Sequence, residues 1–360
     1  MSITYRENMI RAMKRQQPEF VPFEYSFTAA LADKIRTETG SDPYAYLESV
    51  HHHANIGTRN VGMKKSVRPN DYSRYYAGRT FENKVDIDEW GIGHQAGSFM
   101  HFTHMESPLV NASSLREIED YPMPDCGAHY RWDEAQTQTE ALHKDGYAVT
   151  AFSGHTFETV WQIRGMEAFL SDMYLNIDWC EALIEKVFNV NINVVRESVS
   201  AGIDVLRLGD DVGTQTGMMF SPEFWRRLFK PRLKAYIDTA KRINPSVLIW
   251  YHSDGDIRAI IPDLIEIGLD ILNPVQPECM DAAWVKREYG RDLSFWGVIG
   301  TQQVMPFGTP SDVKNEIRRL ISTVGENGGL CLAPTHVLEP EVPTANIKAM
   351  VEAVEEYGKY

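Results

Sequence analysis

The sequence predicts an α/β chain in which parallel strands and helices alternate and close into a β/α barrel. Three observations support this. From Pro122 onward, short apolar runs take turns with helix-period segments over the remaining two thirds of the chain, the pattern of βα units around a parallel sheet. Helix starts are punctuated: Ser221-Pro222 and Thr309-Pro310 each set an N-cap residue before a proline at the first helical position. Thr309 with Asp312 also makes an acidic variant of the capping box. Finally, several apolar runs end in chemistry-competent side chains, which a barrel gathers at the mouth formed by the C-terminal ends of its strands. Closure uses this many strands without leaving edges.

Residues 1–20 read as a helix with Glu7, Arg11 and Lys14 on a polar side, ended by Pro18 and Pro22. Val21–Phe27 reads as the first strand, and Thr28 to about Glu48 as a helix. His51, His52 and His53 follow; consecutive residues diverge in direction, which argues against a joint metal site. Residues 60–105 fit neither period, and turn residues flank short β-prone pieces, so one or two inserted hairpins are expected. Their Trp90, Phe99, Met100 and Phe102 suit either a lid over an aromatic substrate or a satellite hydrophobic cluster. Further strands are expected at Tyr147–Ser153, Val205–Gly209, Val247–Tyr251, Asp270–Pro274, Leu293–Val298 and Gly329–Ala333.

A length of 360 residues suits one barrel domain, 1–360, carrying the insertion. The hydrophobic fraction of 43% allows a large core, while no apolar run is long enough for a membrane helix and no signal-peptide pattern opens the chain. A cytoplasmic protein without a membrane partner is expected. Four separated cysteines form no CxxC pair, which excludes a disulfide framework and a zinc ribbon. The net charge of −14 argues against nucleic acid and for a small molecule or a protein as partner.

Four strand ends carry the chemistry. Ala151-Phe-Ser-Gly-His155 ends in a histidine, Leu206-Arg-Leu-Gly-Asp-Asp211 in two acids, and Leu248-Ile-Trp-Tyr-His-Ser-Asp254 in a histidine and an acid. Leu332-Ala-Pro-Thr-His336 ends in another histidine. His252, Asp254 and His336, two imidazoles and a carboxylate, suit zinc with an open position; without metal the same groups suit acid–base work. The residues themselves leave both options open.

The runs Ala201–Asp211, Ser221-Pro-Glu-Phe-Trp225, Lys230-Pro-Arg-Leu-Lys234, Tyr251-His-Ser-Asp-Gly255, Gly308–Val313 and Val342–Val354 resemble the uroporphyrinogen decarboxylase superfamily. The likeness covers roughly the C-terminal half strongly and implies a distorted (β/α)8 TIM barrel. Decarboxylases of this type carry an arginine-rich Met-Arg-Gln-Ala-Gly-Arg signature after the first strand. Here Phe23-Glu-Tyr-Ser-Phe-Thr-Ala-Ala30 has an acid and no arginine, which ill suits a tetrapyrrole with many carboxylates. His336 matches the family's late histidine, whereas Asp211 stands where a serine is usual and Trp161 where a tyrosine is usual.

The methyltransferase branch is the better likeness. Its members usually hold zinc through His-x-Cys and a later Cys; the matching positions here are His252, Asp254 and His336, a harder ligand set that suits activation of an ether oxygen. The substrate methyltransferases of aryl-ether O-demethylase systems are similar, and their spacing of Glu, fourteen residues, Glu, twenty residues, His recurs as Glu119, Glu134 and His155. The resemblance implies a methyltransferase that demethylates a methoxylated aromatic and passes the methyl group to cob(I)alamin on a partner corrinoid protein. Zinc would be held by some of His155, His252, Asp254 and His336. Catalysis would involve Asp210, Asp211, His252 and His336, and the ring would contact Tyr25, Phe27, Trp90, Trp161 and Tyr251. The rivals are a decarboxylase-like lyase acting on a tetrapyrrole or phenolic acid, and a non-catalytic tetrapyrrole or corrinoid carrier. Monomer and homodimer both stay open.

Overall fold

At the centre of the computed structural model, which describes residues 3–50, 57–96 and 103–360, is a curled parallel sheet of seven strands. Their order in space is their order in sequence: Thr58–Asn60, Ala148–His155, Val205–Gly209, Leu248–His252, Ile271–Asn273, Ser294–Trp296 and Leu330–Cys331. Consecutive pairing of parallel strands leaves the connecting helices outside, as in a β/α barrel.

Val21–Phe27 takes the next position, beside the last strand, but not as the continuous strand the sequence suggests. Only isolated parallel bridges form, Phe23 to Leu332 and Phe27 to Leu338. Pro22 has no N–H to contribute to a ladder, so regular pairing cannot begin there. In the other direction, Thr58–Asn60 is a strand that no sequence pattern announces. It is three residues long, and its side chains grade from buried to exposed without alternating.

Alternation along the strands sorts the two cores. Val205, Leu248, Trp250, Ile271, Trp296 and Cys331 point into the barrel, where they meet Met9, Ala12 and Met13. Their neighbours Leu206, Ile249, Tyr251, Leu272 and Phe295 point outward and pack under the helices. The helix Tyr5–Met13 therefore plugs the base of the barrel. A capping box of Thr4 and Glu7 starts it, and the Arg6 guanidinium donates from Nε and Nη2 to Asp204 Oδ1 at 3.0 and 2.8 Å. Asp204 is itself anchored by the Val149 N–H at 2.8 Å and contacts His143 Nε2 at 2.8 Å. With that end filled, chemistry is left to the other end, where the strands finish.

The punctuated helix starts form as expected. Ser221 caps Pro222–Leu228, and Thr309 with Asp312 forms the acidic capping box of Pro310–Thr323. Within the insertion, Val85–Ile87, Gly93–Ala96 and Thr103–Glu106 make a three-stranded antiparallel sheet. It is tied to the following chain by an ion pair from the buried Arg131 to Glu89 at 2.8 Å, and by a hydrogen bond from Tyr121 Oη to the Trp90 carbonyl. His51–His53, Phe99, Met100 and Phe102 lie outside the described residues. Among the described residues no helix is long and apolar enough to cross a membrane.

Candidate active site

Two adjacent strands end in the central cluster. His252 closes Leu248–His252, in register with Gly209, and Asp210 and Asp211 follow Gly209. A Cβ on Gly209 would come within 2.7 Å of His252 Cβ, so glycine is what lets the two strand ends approach. The loop carrying Asp254 is held to the turn after Asp211 in the same way. Gly255, at φ +83°, packs against Gly213 so closely that a Cβ on either would collide with the other's backbone segment. The Asp256 N–H donates to the Thr214 carbonyl at 2.7 Å, and the Asp254 N–H to Asp211 Oδ1 at 2.9 Å.

The result is a compact donor set. Asp211, His252 and Asp254 each offer a ligand atom, all within 4.8 Å of one another. His252 Nε2 lies 3.4 Å from Asp211 Oδ1, while Nδ1 lies 2.6 Å from Asn273 Oδ1. The Asn273 amide is oriented by its NH2, which donates to the Trp296 carbonyl. Its oxygen must therefore accept from His252 Nδ1–H, which turns Nε2 toward the carboxylates. Burial raises the Asp254 carboxyl above its ordinary range; His252 opposes this and the nearby Asp211 charge adds to it.

A second group adjoins the first. His155 Nδ1 is 2.8 Å from both Glu158 Oε1 and the Gly209 carbonyl, and Glu158 Oε1 also accepts the Asp211 N–H at 3.1 Å. Burial alone would lower the His155 pKa, but the bond and charge of Glu158, the Asp210 charge and the Gly209 carbonyl together raise it to about 9. Asp210 is buried, its Oδ1 accepting the N–H groups of Thr156 and Glu158 at 2.8 and 3.1 Å. Desolvation lifts its carboxyl to about 8 against the opposing pull of His155. Asp210 thus ties the start of the helix Phe157–Arg164 to the neighbouring strand end. His155, Glu158 and Asp210 also lie within reach of one ion.

A family model described as uroporphyrinogen decarboxylase (URO-D) matches residues 88–357. The chain belongs to that family. Among curated relatives, the methylcobamide:CoM methyltransferase MtaA of Methanosarcina barkeri is 26% identical over 193 residues, 53% of each chain. The uroporphyrinogen decarboxylase of Chlorobaculum parvum is 24% identical over 192 residues, 52% of each. The chain spans about half the length of the curated relatives it matches. A methyltransferase structure from Methanosarcina mazei matches 99% of both chains with a TM-score of 0.67 at 16% identity, a likeness of fold. URO-D membership and the distorted (β/α)8 barrel agree, but the fold serves both chemistries and function must be argued from the site.

In this URO-D chain the expected site residues divide. Asp211, His252 and Asp254 come together, and His155 and Asp210 stand beside them. His336 lies exposed on the wall of a cleft of about 480 Å³ that Asp254 also lines, outside both ligand clusters of the described residues. Glu119 and Glu134 do not join His155. Glu119 is exposed at the end of Leu115–Glu119, and Glu134 is exposed in an ion pair with Lys64 at 2.7 Å.

The aromatic expectations are corrected by strand parity. Tyr251 precedes the inward His252, so it points outward and is 2% exposed. Tyr25 and Phe27 likewise face the outer layer, clustered with Tyr44 at centroid distances of 5.1 to 5.8 Å. Trp90 and Trp161 are half-buried against that same outer core. Trp250 and Trp296 do face the barrel interior, and so does Phe152, which is in register with Arg207 and edge-on to the His155 ring at 4.8 Å. Glu158 and Asn273 were also missing from the sequence-based set. The signals that point to them are an acid one turn into the helix after His155 and an amide at the end of the strand beside His252.

Proposed function

We propose that the chain is a methyltransferase that demethylates a methoxylated aromatic and delivers the methyl group to cob(I)alamin on a partner corrinoid protein. Its main support is the Asp211–His252–Asp254 set at the barrel mouth: one imidazole with its tautomer fixed by Asn273, and two carboxylates. Such a nitrogen–oxygen donor set fits zinc with a position left open. Bound there, zinc would supply Lewis acidity toward an ether oxygen, which suits the poor leaving character of a phenolate.

The chain's own residues do the rest. Asn273 aims His252 Nε2 at the carboxylates, and the glycine contact at Gly213 and Gly255 keeps Asp254 beside Asp211. His155, protonated at neutral pH through Glu158, stands one hydrogen-bonded residue from Asp211 and is the group able to hold a proton for the departing oxygen. Asp210 positions that histidine's helix. His336 and the cleft it lines offer the approach for the methyl acceptor, and the aromatic-rich insertion is the proposed lid.

A decarboxylase reading has one observation in its favour, the comparable identity to uroporphyrinogen decarboxylases over the same length. One experiment separates the two. Protein loaded with zinc is mixed with a methoxylated aromatic and cob(I)alamin, and phenol formation and cobalamin absorbance are followed. Methyl transfer lost in His252→Ala and Asp254→Asn, together with about one bound zinc per chain, supports the proposal. Decarboxylation of a porphyrinogen by metal-free protein, with no demethylation, overturns it.

A further inference from the structure

Beneath the metal-competent cluster, the barrel interior is polar where apolar filling is the rule. The strand Val205–Gly209 is buried at every position except its middle one, Arg207, which points inward with a side-chain exposure of 22%. Its partner across the barrel is Glu24, 24% exposed, whose carboxylate oxygens accept from Arg207 Nη2 at 3.2 and 3.1 Å. Solvent therefore reaches a charged pair at mid-barrel. The walls beside it are aromatic: the guanidinium carbon lies 5.3 Å from the Trp250 ring centroid and 4.8 Å from that of Trp296.

This floor has more donors than acceptors. Glu24 takes up Nη2, but Arg207 Nε has no acceptor, and neither has the indole N–H of Trp250, a side chain 8% exposed. Arg207 is in register with Trp250, and Gly209 with His252. Two residues of strand separate the levels, a rise of about 7 Å. Trp250 spans that rise, with its ring stacked on the His252 imidazole at 5.7 Å and 17°. The guanidinium thus lies one layer of inward side chains below the metal-competent cluster, with Trp250 between the two levels.

We propose that Arg207, flanked by Trp250 and Trp296, is the specificity residue that seats a carboxylate of the substrate, so that the methoxylated aromatic is an aromatic acid. An acceptor-only carboxylate matches a donor surplus, whereas a ring hydroxyl adds another donor. The inference deepens the methyl-transfer reading and depends on it only for the methoxy end.

The test is titration of the protein as purified with 4-methoxybenzoate and, separately, with neutral methoxybenzene, read by tryptophan fluorescence. The acid is expected to bind more tightly. Arg207→Met should weaken the acid by about ten- to a hundredfold, the range for a lost charged hydrogen bond, and leave methoxybenzene unchanged. Glu24→Gln should tighten the acid, because it removes a competing negative charge. Equal binding of acid and neutral ether overturns the assignment, as does Arg207→Met binding the acid like wild type. Should Arg207→Met fail to fold, Glu24→Gln decides: no tightening refutes it. Arg207-dependent binding of the acid without any methyl transfer keeps this site and removes the proposed reaction. Methyl transfer from neutral ethers with no preference for acids does the reverse.

Discussion

Replacing Asn273 by alanine tests whether His252 serves as a metal ligand. The His252 Nδ1–H to Asn273 Oδ1 bond is short, 2.6 Å, and its acceptor Asn273 is buried. Loss of an outer partner of this kind lowers metal affinity by about 10- to 100-fold, or ~1.4 to 2.8 kcal/mol. Asn273→Ala also strands the buried Trp296 carbonyl, at a cost of about 1–3 kcal/mol in stability. Asn273→Asp should separate the two effects: it keeps an acceptor for His252, so zinc affinity holds, but it loses the donor to Trp296, so stability falls. The assay is competition for zinc against a chromophoric chelator, with melting temperature measured in parallel. If Asn273→Ala binds zinc as tightly as wild type, or if the alanine and aspartate variants lose affinity equally, His252 is not a ligand oriented by Asn273.

Three further outcomes are expected. Asp211→Asn and Asp254→Asn should each lose most of the bound zinc by elemental analysis, while Glu119→Gln and Glu134→Gln keep it; the opposite pattern would move the site to the first half of the chain. Met13→Ala, in the fully buried plug, should destabilise by about 2–5 kcal/mol in denaturant titration and leave zinc content intact, whereas a change below 1 kcal/mol would mean that the base is loosely packed. The folded state holds the His155 proton up to about pH 9, above the ordinary 6.5, so that stabilisation is complete below about pH 6.5 and lost as pH rises through 9. Melting temperature in chelator-treated protein should fall across this window and fall less steeply in Glu158→Gln; an equal slope would remove Glu158 as the cause.

The barrel and its chemical end were legible because both are written in local pattern. An apolar run that stops at His252 or at Asp210 marks a strand end, and strand ends share one mouth. Capping at Ser221 and Thr309 was legible for the same reason, being a matter of neighbouring residues. What escaped depends on direction or on long range. The alternation that sends His252 inward sends Tyr251 outward, and applying it strictly along Leu248–His252 and Val205–Gly209 would have put Trp250 and Arg207 in the interior. The spacing of Glu119, Glu134 and His155 carries no such constraint, since it counts residues across helices whose exposed faces the count ignores. Glu158 and Asn273 act through other residues, and their partners are known only once two strand ends are side by side.

The plug at the barrel base also has a consequence for how the chain folds. The Ala12 carbonyl accepts from the Gly329 N–H, and the Met13 carbonyl from Ser294 Oγ, both at 2.9 Å, so the first helix completes its contacts only with strands near the other end of the sequence. Closure entropy over almost the whole chain must be met before those contacts form, which favours slow folding and late, concerted locking of the base. During synthesis the apolar face of Tyr5–Met13 can meet Ala148, Val205 and Leu248 first, but it stays partly uncovered until Leu330–Cys331 has emerged. A chain halted before that strand would leave Met9, Ala12 and Met13 incompletely covered beside an open sheet edge, and is expected to aggregate or be held by chaperones instead of settling into a smaller barrel.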